Sequence, residues 1–466
     1  MAGKVKFIVS DLHLGAGCAP DNPLEDFVTD DAFAAFLGSI VTESDAEGQD
    51  VELIVNGDMV EFLQVPAVDS FDPQAVYPDE DYLATSQGAA LKKIEWVIAG
   101  HPVLFAALRD FLSPGSPRRS VTIIKGNHDV ELYWSAVQQR IRQAVGAVDA
   151  RHDLLTFASR SVSREGLYVE HGNQYAETLN RFENFEDPRD PRHPDELATP
   201  PGSRFVIRFV NEVEREKWWV DAVKPITALI WYGLAIDFAF AAKALACFLY
   251  ALPAVVVGGF AVGAGTAADE VAQQLTDESE RAALAGRYAA DADFRRAFDA
   301  RVARVLSPER PTFAPSVADR QGGALERARD VVAEMDRALR QAAQTKITQE
   351  GAELVIFGHT HQALSVPLEG GTYVNSGTWV WWRDFAGSDL ATWKAFYAHP
   401  EAFTQPHFLT AVRVDYDAQG HPHASLLDVG GRSAAEPAGP GPRKGCAAWW
   451  AWLTGALKKA RELKPS

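Results

Sequence analysis

Five short apolar runs in this chain each end in a cluster of aspartate, asparagine, histidine and glycine. They are KVKFIVSDLHLG at 4–15, VELIVNGDMVEF at 51–62, SVTIIKGNHD at 120–129, GLYVEHGN at 166–173 and AELVIFGHTH at 352–361. Short aliphatic runs bounded by such clusters read as buried strands. Between the first three lie helix-length stretches, 30–44 and 87–112, whose apolar residues recur at intervals of three and four. Strands alternating with helices predict an α/β fold with its polar groups gathered past the strand C-termini.

From about 175 to 350 the strand pattern stops. An acidic, proline-bearing loop (183–202), an apolar region (218–268), a charged amphipathic helix (about 278–306), a Pro-rich break (308–315) and a further helix (323–351) follow one another. The span 176–349 therefore reads as an all-helical insertion. The α/β pattern resumes with GTYVNSGTW (371–379) and a predicted hairpin over 409–429 whose turn is DAQG. Residues 430–445, rich in Gly, Pro and Ala, read as a linker to an amphipathic helix at 446–466.

The strand ends present Asp11 and His13, then Asp58, then Asn127, His128 and Asp129, then His171, then His359 and His361. Oxygen and imidazole donors of this kind suit Mn, Fe, Zn or a related divalent ion, and there are enough of them for two ions. Pairs spaced two apart, in DLH and HTH, can both reach inward where a strand breaks into a loop. The glycines of NGD, KGN, HGN and FGH let backbone come close to such a site. With 45 Lys and Arg against 63 Asp and Glu, the formal charge of -18 argues against nucleic acid as a partner. Cys18, Cys247 and Cys446 lack disulfide or CxxC spacing and fit a reducing compartment.

In this order, SDLHLG, NGDMVEF, KGNHD, EHGN and GHTH resemble the calcineurin-like metallophosphoesterase superfamily. The resemblance covers residues 1–175 and 350–430 and implies a four-layer α/β/β/α sandwich. It implies further that Asp11, His13, Asp58 and His361 hold one divalent ion, and Asp58, Asn127, His171 and His359 a second, with Asp58 bridging. Manganese is favoured, with Fe, Zn and Mg as alternatives. A phosphoester or pyrophosphate would be hydrolysed by metal-bound hydroxide, with His128 near the leaving group and Asp129 orienting its imidazole. Asn375 and Ser376, in YVNSGTW, read either as supports of the site or as turn residues. Histidines 101, 152, 193, 399, 407, 421 and 423 read as loop or surface residues.

Residues 244–268 carry no charge over a length that could span a membrane. Because His171 precedes the run and His359 follows it, any crossing must be paired. The pattern favours a helical hairpin over 218–268 lying shallowly in one leaflet, with KWWVDAVK (217–224) supplying interfacial Trp and Lys. The alternative is a hairpin buried in protein, as a lid or a homodimer interface. Trp449, Trp450 and Trp452 ahead of Lys458, Lys459, Arg461 and Lys464 fit a second interfacial anchor. SDLHLG, GDMVEF and GHTHQA are similar to the UDP-2,3-diacylglucosamine pyrophosphatase branch, which implies a lipid-linked pyrophosphate substrate at a membrane surface. That branch usually has arginine where this chain has His128, and a histidine there points to a soluble phosphodiesterase or phosphatase acting on a small-molecule or nucleotide ester. With no signal peptide at the N-terminus, the expected location is cytoplasmic, peripheral on the membrane.

Overall fold

Along Lys4–Val9 the side chains alternate between the two sides of the strand and all but Lys4 are buried, Lys6 in ion pairs with Glu52 and Glu165. Phe7 meets Phe36 of the helix Asp30–Glu47 with ring centroids 5.9 Å apart, while Ile8 joins the core on the other side of the strand. In the computed structural model, which describes residues 4–176, 179–251, 275, 278–306, 335–385, 387–404 and 408–430, Met1–Gly430 form one unit and Gly431–Ser466 another. The linker and anchor expected at 430–445 and 446–466, and the apolar stretch 252–268, lie outside the described residues apart from Gly430.

The strands in chain order are β1 (Lys4–Val9), β2 (Asp50–Asn56), β3 (Arg119–Ile124), β4 (Leu155–Ala158), β5 (Ser161–Arg164), β6 (Leu167–Glu170), β7 (Arg189–Asp190), β8 (His193–Leu197), β9 (Val223–Lys224), β10 (Leu354–Phe357), β11 (Leu364–Leu368), β12 (Gly371–Asn375), β13 (Arg383–Asp384), β14 (Thr410–Tyr416) and β15 (Pro422–Asp428). One sheet has the order β15-β14-β1-β2-β3-β4 and a second the order β11-β12-β10-β6-β5. β1 to β4 run parallel, as do β6, β10 and β12. The fold is mixed α/β, and the hairpin predicted over 409–429 is β14 and β15, paired antiparallel.

The two sheets share a core. Ile8, Ile54 and Ile124 of the first pack with Val169, Ile356 and Val374 of the second, each fully buried aliphatic stabilising the fold by about 1.5–3 kcal/mol. The other face of the second sheet, through Val355, Phe357 and Tyr373, is covered by Leu339, Ala343 and Ile347 of the helix 335–350. Parallel strands facing one another in this way bring the C-terminal ends of β1, β2 and β3 to those of β6 and β10.

The stretch 87–112 forms two helices, Gln87–Gly100 and Pro102–Phe111. Proline lacks the amide to continue the first and suits the opening of the second. His101, read as a loop or surface residue, lies in the break but is buried rather than on the surface. Its Nδ1 lies 3.1 Å from Asp30 and its Nε2 3.4 Å from Glu25, and Glu25 in turn accepts from the amides of Gly15 and Gly17 in the loop that follows β1.

The region 176–349 is not all-helical. β7 and β8 form a small hairpin within the acidic loop, and β9 pairs with β13, a two-residue contact with no periodic signal in the sequence. The helices Ile226–Ile236 and Phe238–Ala251 break at Asp237, whose carboxylate accepts from the amide of Phe240 and pairs with Lys217 at 3.1 Å. Leu229, Ile230, Phe240 and Leu245 pack on Trp219, Phe298, Trp393 and Phe396. Trp219, expected at a membrane interface, is 3% exposed. Much of the described part of the apolar region is thus packed on protein, with Trp218 left half-exposed, and among the described residues no helix is long and apolar enough to cross a membrane.

Burial alone would lower the His101 pKa, but Glu25 and Asp30 outweigh it and raise it to about 10. A pKa above the unfolded value contributes stability that is fully present below about pH 6.5 and lost as pH rises through the folded value. Urea unfolding should therefore show His101→Ala destabilised by a few kcal/mol, order of magnitude, at pH 6, with the gap to wild type narrowing by pH 10. An equal gap at both pH values would show that the imidazole is not held charged.

Candidate metal centre

Five of the predicted ligands occupy backbone that favours glycine: Asp11 (φ 54°), His13 (51°), Asp58 (48°), His359 (70°) and His361 (62°). Each left-handed non-glycine residue costs on the order of 1–3 kcal/mol and persists only where its surroundings hold it. Here the loops hold one another. The amide of Asp11 donates to Gly57 O at 3.2 Å, that of His13 to Asp58 O at 2.9 Å, and that of Trp379 to Asp11 O at 3.1 Å. The Asp11 carboxylate accepts from the His359 amide at 3.1 Å. Asn375 donates to Gly358 O at 2.8 Å and Ser376 Oγ lies 2.7 Å from Ser10 Oγ, so both tie site loops together.

Glycines make these approaches feasible. A Cβ at Gly126 would fall 2.1 Å from Asp58 Oδ1, one at Gly57 2.3 Å from His171 Nδ1, and one at Gly358 2.7 Å from Asp11 Oδ2. Three segments of backbone are pressed directly against the side chains of these candidate ligands.

Among the described residues, three groups bring their ligand atoms within 4.8 Å of one another: Asp11, His13 and His361; His13, Asp58 and His128; and Asp58, His171 and His359. These buried Asp and His groups could hold metal ions, and Asp58 is common to two of them. His171 Nδ1 donates to Asn56 O at 2.9 Å. A carbonyl can only accept, so the proton is on Nδ1 and Nε2 is turned to Asp58 Oδ2, 3.0 Å away, the orientation of a ligating imidazole. His13 Nε2 lies 3.2 Å from His361 Nε2, and His361 Nε2 lies 3.4 Å from Asp11 Oδ1.

Glu61 is the residue the sequence reading missed. One oxygen, Oε2, takes His13 Nδ1 at 2.7 Å and His128 Nδ1 at 2.5 Å, while Oε1 accepts from the Leu63 amide at 3.1 Å. Asp129, expected to orient His128, does not do so. The tight turn folds its carboxylate back onto the amides of Gly126 at 2.5 Å and Met59 at 2.8 Å, fastening the β3 loop to the β2 loop. Burial and the nearby Asp58 charge raise its pKa to about 7. The available signal for Glu61 was its place three residues after Asp58 in GDMVEF.

Burial would raise the Asp58 pKa, but the His171 and His128 imidazoles hold it well below the usual carboxylate range. Asp11 is lowered against its burial by His361 and His171. Burial presses every imidazole toward neutrality, and the acids decide which resist. Glu61 lifts His13, Glu61 and Asp58 lift His128 to about 10, and Asp58 lifts His171 to about 9. His359, buried beside His171, falls to about 3, and His361 is lowered by burial as well.

Two features fit a cation. His13 and His361 turn nitrogen toward nitrogen, an arrangement that needs either a proton or a metal between the lone pairs. Asn127 is 1% exposed, with both amide atoms lacking a hydrogen-bond partner, and its neighbours Gly126 and His128 both abut Asp58. A buried polar group left in this way costs about 1–3 kcal/mol, which ligation would offset.

Gly126→Ala, which pushes a methyl group onto the Asp58 carboxylate, is expected to cut Mn affinity roughly 10–100-fold with the far-UV spectrum retained. Unchanged affinity by calorimetric titration would remove Asp58 from the ligand set. The chain matches no protein-family model and no curated protein, so its chemistry rests on the side chains described above.

Proposed function

We propose that this chain is a phosphoester or pyrophosphate hydrolase working with two divalent ions, manganese first among the candidates. The observation that carries the reading is the shared carboxylate of Asp58, common to a His13–His128 group and a His171–His359 group, with His13 belonging also to the group of Asp11 and His361. The sheets that share one core, with helices outside them, support a calcineurin-like four-layer α/β/β/α arrangement for the residues around the site. When bound, the ion pair would neutralise phosphoryl oxygens and acidify a water.

The chain's own residues account for the rest. Asp11, His13, Asp58, His361, Asn127, His171 and His359 would hold the ions. His128, with 18% of its side chain exposed, is the imidazole left to the substrate. Glu61 takes its Nδ1 proton in a hydrogen bond and fixes the ring, so that the opposite nitrogen can donate to the departing ester oxygen. Glu61 also orients His13, which ties the placement of the acid to the placement of a ligand. Asp129 positions both loops without touching the imidazole.

The reading is tested with Mn-loaded protein and three compounds in mixed micelles: an aryl phosphomonoester, an aryl phosphodiester and UDP-2,3-diacylglucosamine. A far higher kcat/KM on the last would support a lipid-linked pyrophosphate, and preference for an aryl ester would support a small ester. Absence of turnover on all three, with both ions bound, would overturn the hydrolase. Asp58→Asn should lose metal and activity together. His128→Ala should lower kcat roughly 10²–10⁴-fold with metal retained, and equal metal loss in both variants would refute this division of labour.

A further inference from the structure

A cleft of about 520 Å³, lined by Arg160, Gln174, Tyr175, Arg181, Phe182 and Glu183, takes no part in the hydrolytic steps above. Its walls are built. Gln174 donates to Phe182 O at 3.0 Å and accepts from the Phe182 amide at 2.9 Å. Arg160 is braced along one edge, Nε donating to Glu170 Oε1 at 2.9 Å and Nη2 to the Tyr175 hydroxyl at 3.1 Å. Its Nη1 has no partner among the described residues. Glu170 is buried, and its other oxygen accepts from Tyr168 at 2.5 Å and Tyr175 at 2.8 Å, so it is satisfied within this network. The exposed guanidinium of Arg181 makes no ion pair or hydrogen bond among the described residues. Glu183 is the one acid on the lining.

The cleft adjoins the centre. Gln174 follows His171 by three residues, which limits the distance between their backbones to about 11 Å. Phe182 packs with Val130, two residues past His128, and Lys125, the residue before Gly126, donates to the carbonyl of Ser159 beside Arg160. A guanidinium braced on one edge and open on the other presents N–H donors that match the oxygens of an anion. In a chain of formal charge -18, two such groups in one cleft, of a volume that suits part of a small molecule, mark a place for negative charge. We propose that this cleft binds a phosphate dianion, the remote phosphate of a substrate that carries two. The occupant rests on the reading of the adjoining centre as a phosphoester hydrolase. Free inorganic phosphate has the same chemistry, and the experiment separates the two sources.

The test gives Mn-loaded protein the 5′-p-nitrophenyl esters of thymidine 5′-phosphate and of thymidine 3′,5′-bisphosphate, which release the same phenol and differ only in a remote phosphate. Inorganic phosphate is titrated calorimetrically into the full chain before Mn loading, so that bound ions contribute nothing. Wild type is expected to prefer the bisphosphate ester about tenfold in kcat/KM, and Arg181→Ala to lose that preference with its rate on the other ester unchanged. Arg181→Ala should weaken phosphate binding about tenfold, while Glu183→Gln, which removes a like charge, should strengthen it. Both residues are exposed, so neither change threatens the fold. Phosphate binding that needs Arg181, with both esters hydrolysed alike, would overturn the substrate's phosphate as occupant and assign the cleft to free phosphate. No saturable phosphate binding to wild type, or binding indifferent to both substitutions, would overturn the site. Phosphate binding that needs Arg181, with neither ester hydrolysed, would tell against the hydrolase reading and leave the anion site standing.

Discussion

Everything at the centre depends on the burial of two carboxylates, Asp11 and Asp58, that stay ionised without exposed surface. An isolated carboxylate in such a place would take up a proton. Here imidazoles surround them, and those of His361, His171 and His128 hold both acids below the usual carboxylate range. The same acids cannot charge every ring, and His359 and His361 are pushed toward neutrality. Ionised carboxylate and neutral imidazole nitrogen are the forms that bind a metal, so the groups gathered here could hold one.

Holding the acids there requires backbone that the chain would not adopt alone. Five left-handed residues would together cost on the order of several kcal/mol, and each loop that bears them is secured by a loop from a different strand. Asp129 fastens the β3 loop to the β2 loop, Glu61 joins the ring after β1 to the ring after β3, and Trp379 secures Asp11 from beyond β12. The strain therefore sits at the seam between two sheets whose shared aliphatic core is remote from it. Stability comes from the apolar interior, and the polar ends are free to be specialised.

What the sequence disclosed follows from this division. Buried strands leave uninterrupted aliphatic runs, and polar residues just past the last strand residue fall at short offsets, so the gathering of Asp11, Asp58, His171, His359 and His361 in groups able to hold an ion was legible. Glu61 was not, because its place three residues after Asp58 does not by itself distinguish a buried orienting acid from a surface one. Asp129 was misjudged for the complementary reason: adjacency in sequence suggested adjacency in space, and a tight turn reversed its direction. His101 showed only as a residue before proline, since its partners Glu25 and Asp30 lie more than 70 positions away. The apolar region carried a signal of burial that does not by itself say whether lipid or protein does the covering.

The packing around that region links the insertion to the centre. β9 pairs with β13 through Arg383 N to Ala222 O at 2.7 Å and Phe385 N to Lys224 O at 2.8 Å. The partner segment begins only a few residues after Trp379, which bonds the backbone of Asp11. Asp221 precedes this pairing and Lys224 lies within it, so an insertion stabilised by its own aromatic cluster delivers charged groups to within reach of His361 and His13. The phosphoryl chemistry proposed for the centre needs only the strand ends. The strand-end loops, held by their mutual hydrogen bonds, have little freedom left to vary, and the segments that can differ around the centre are those arriving from elsewhere in the chain.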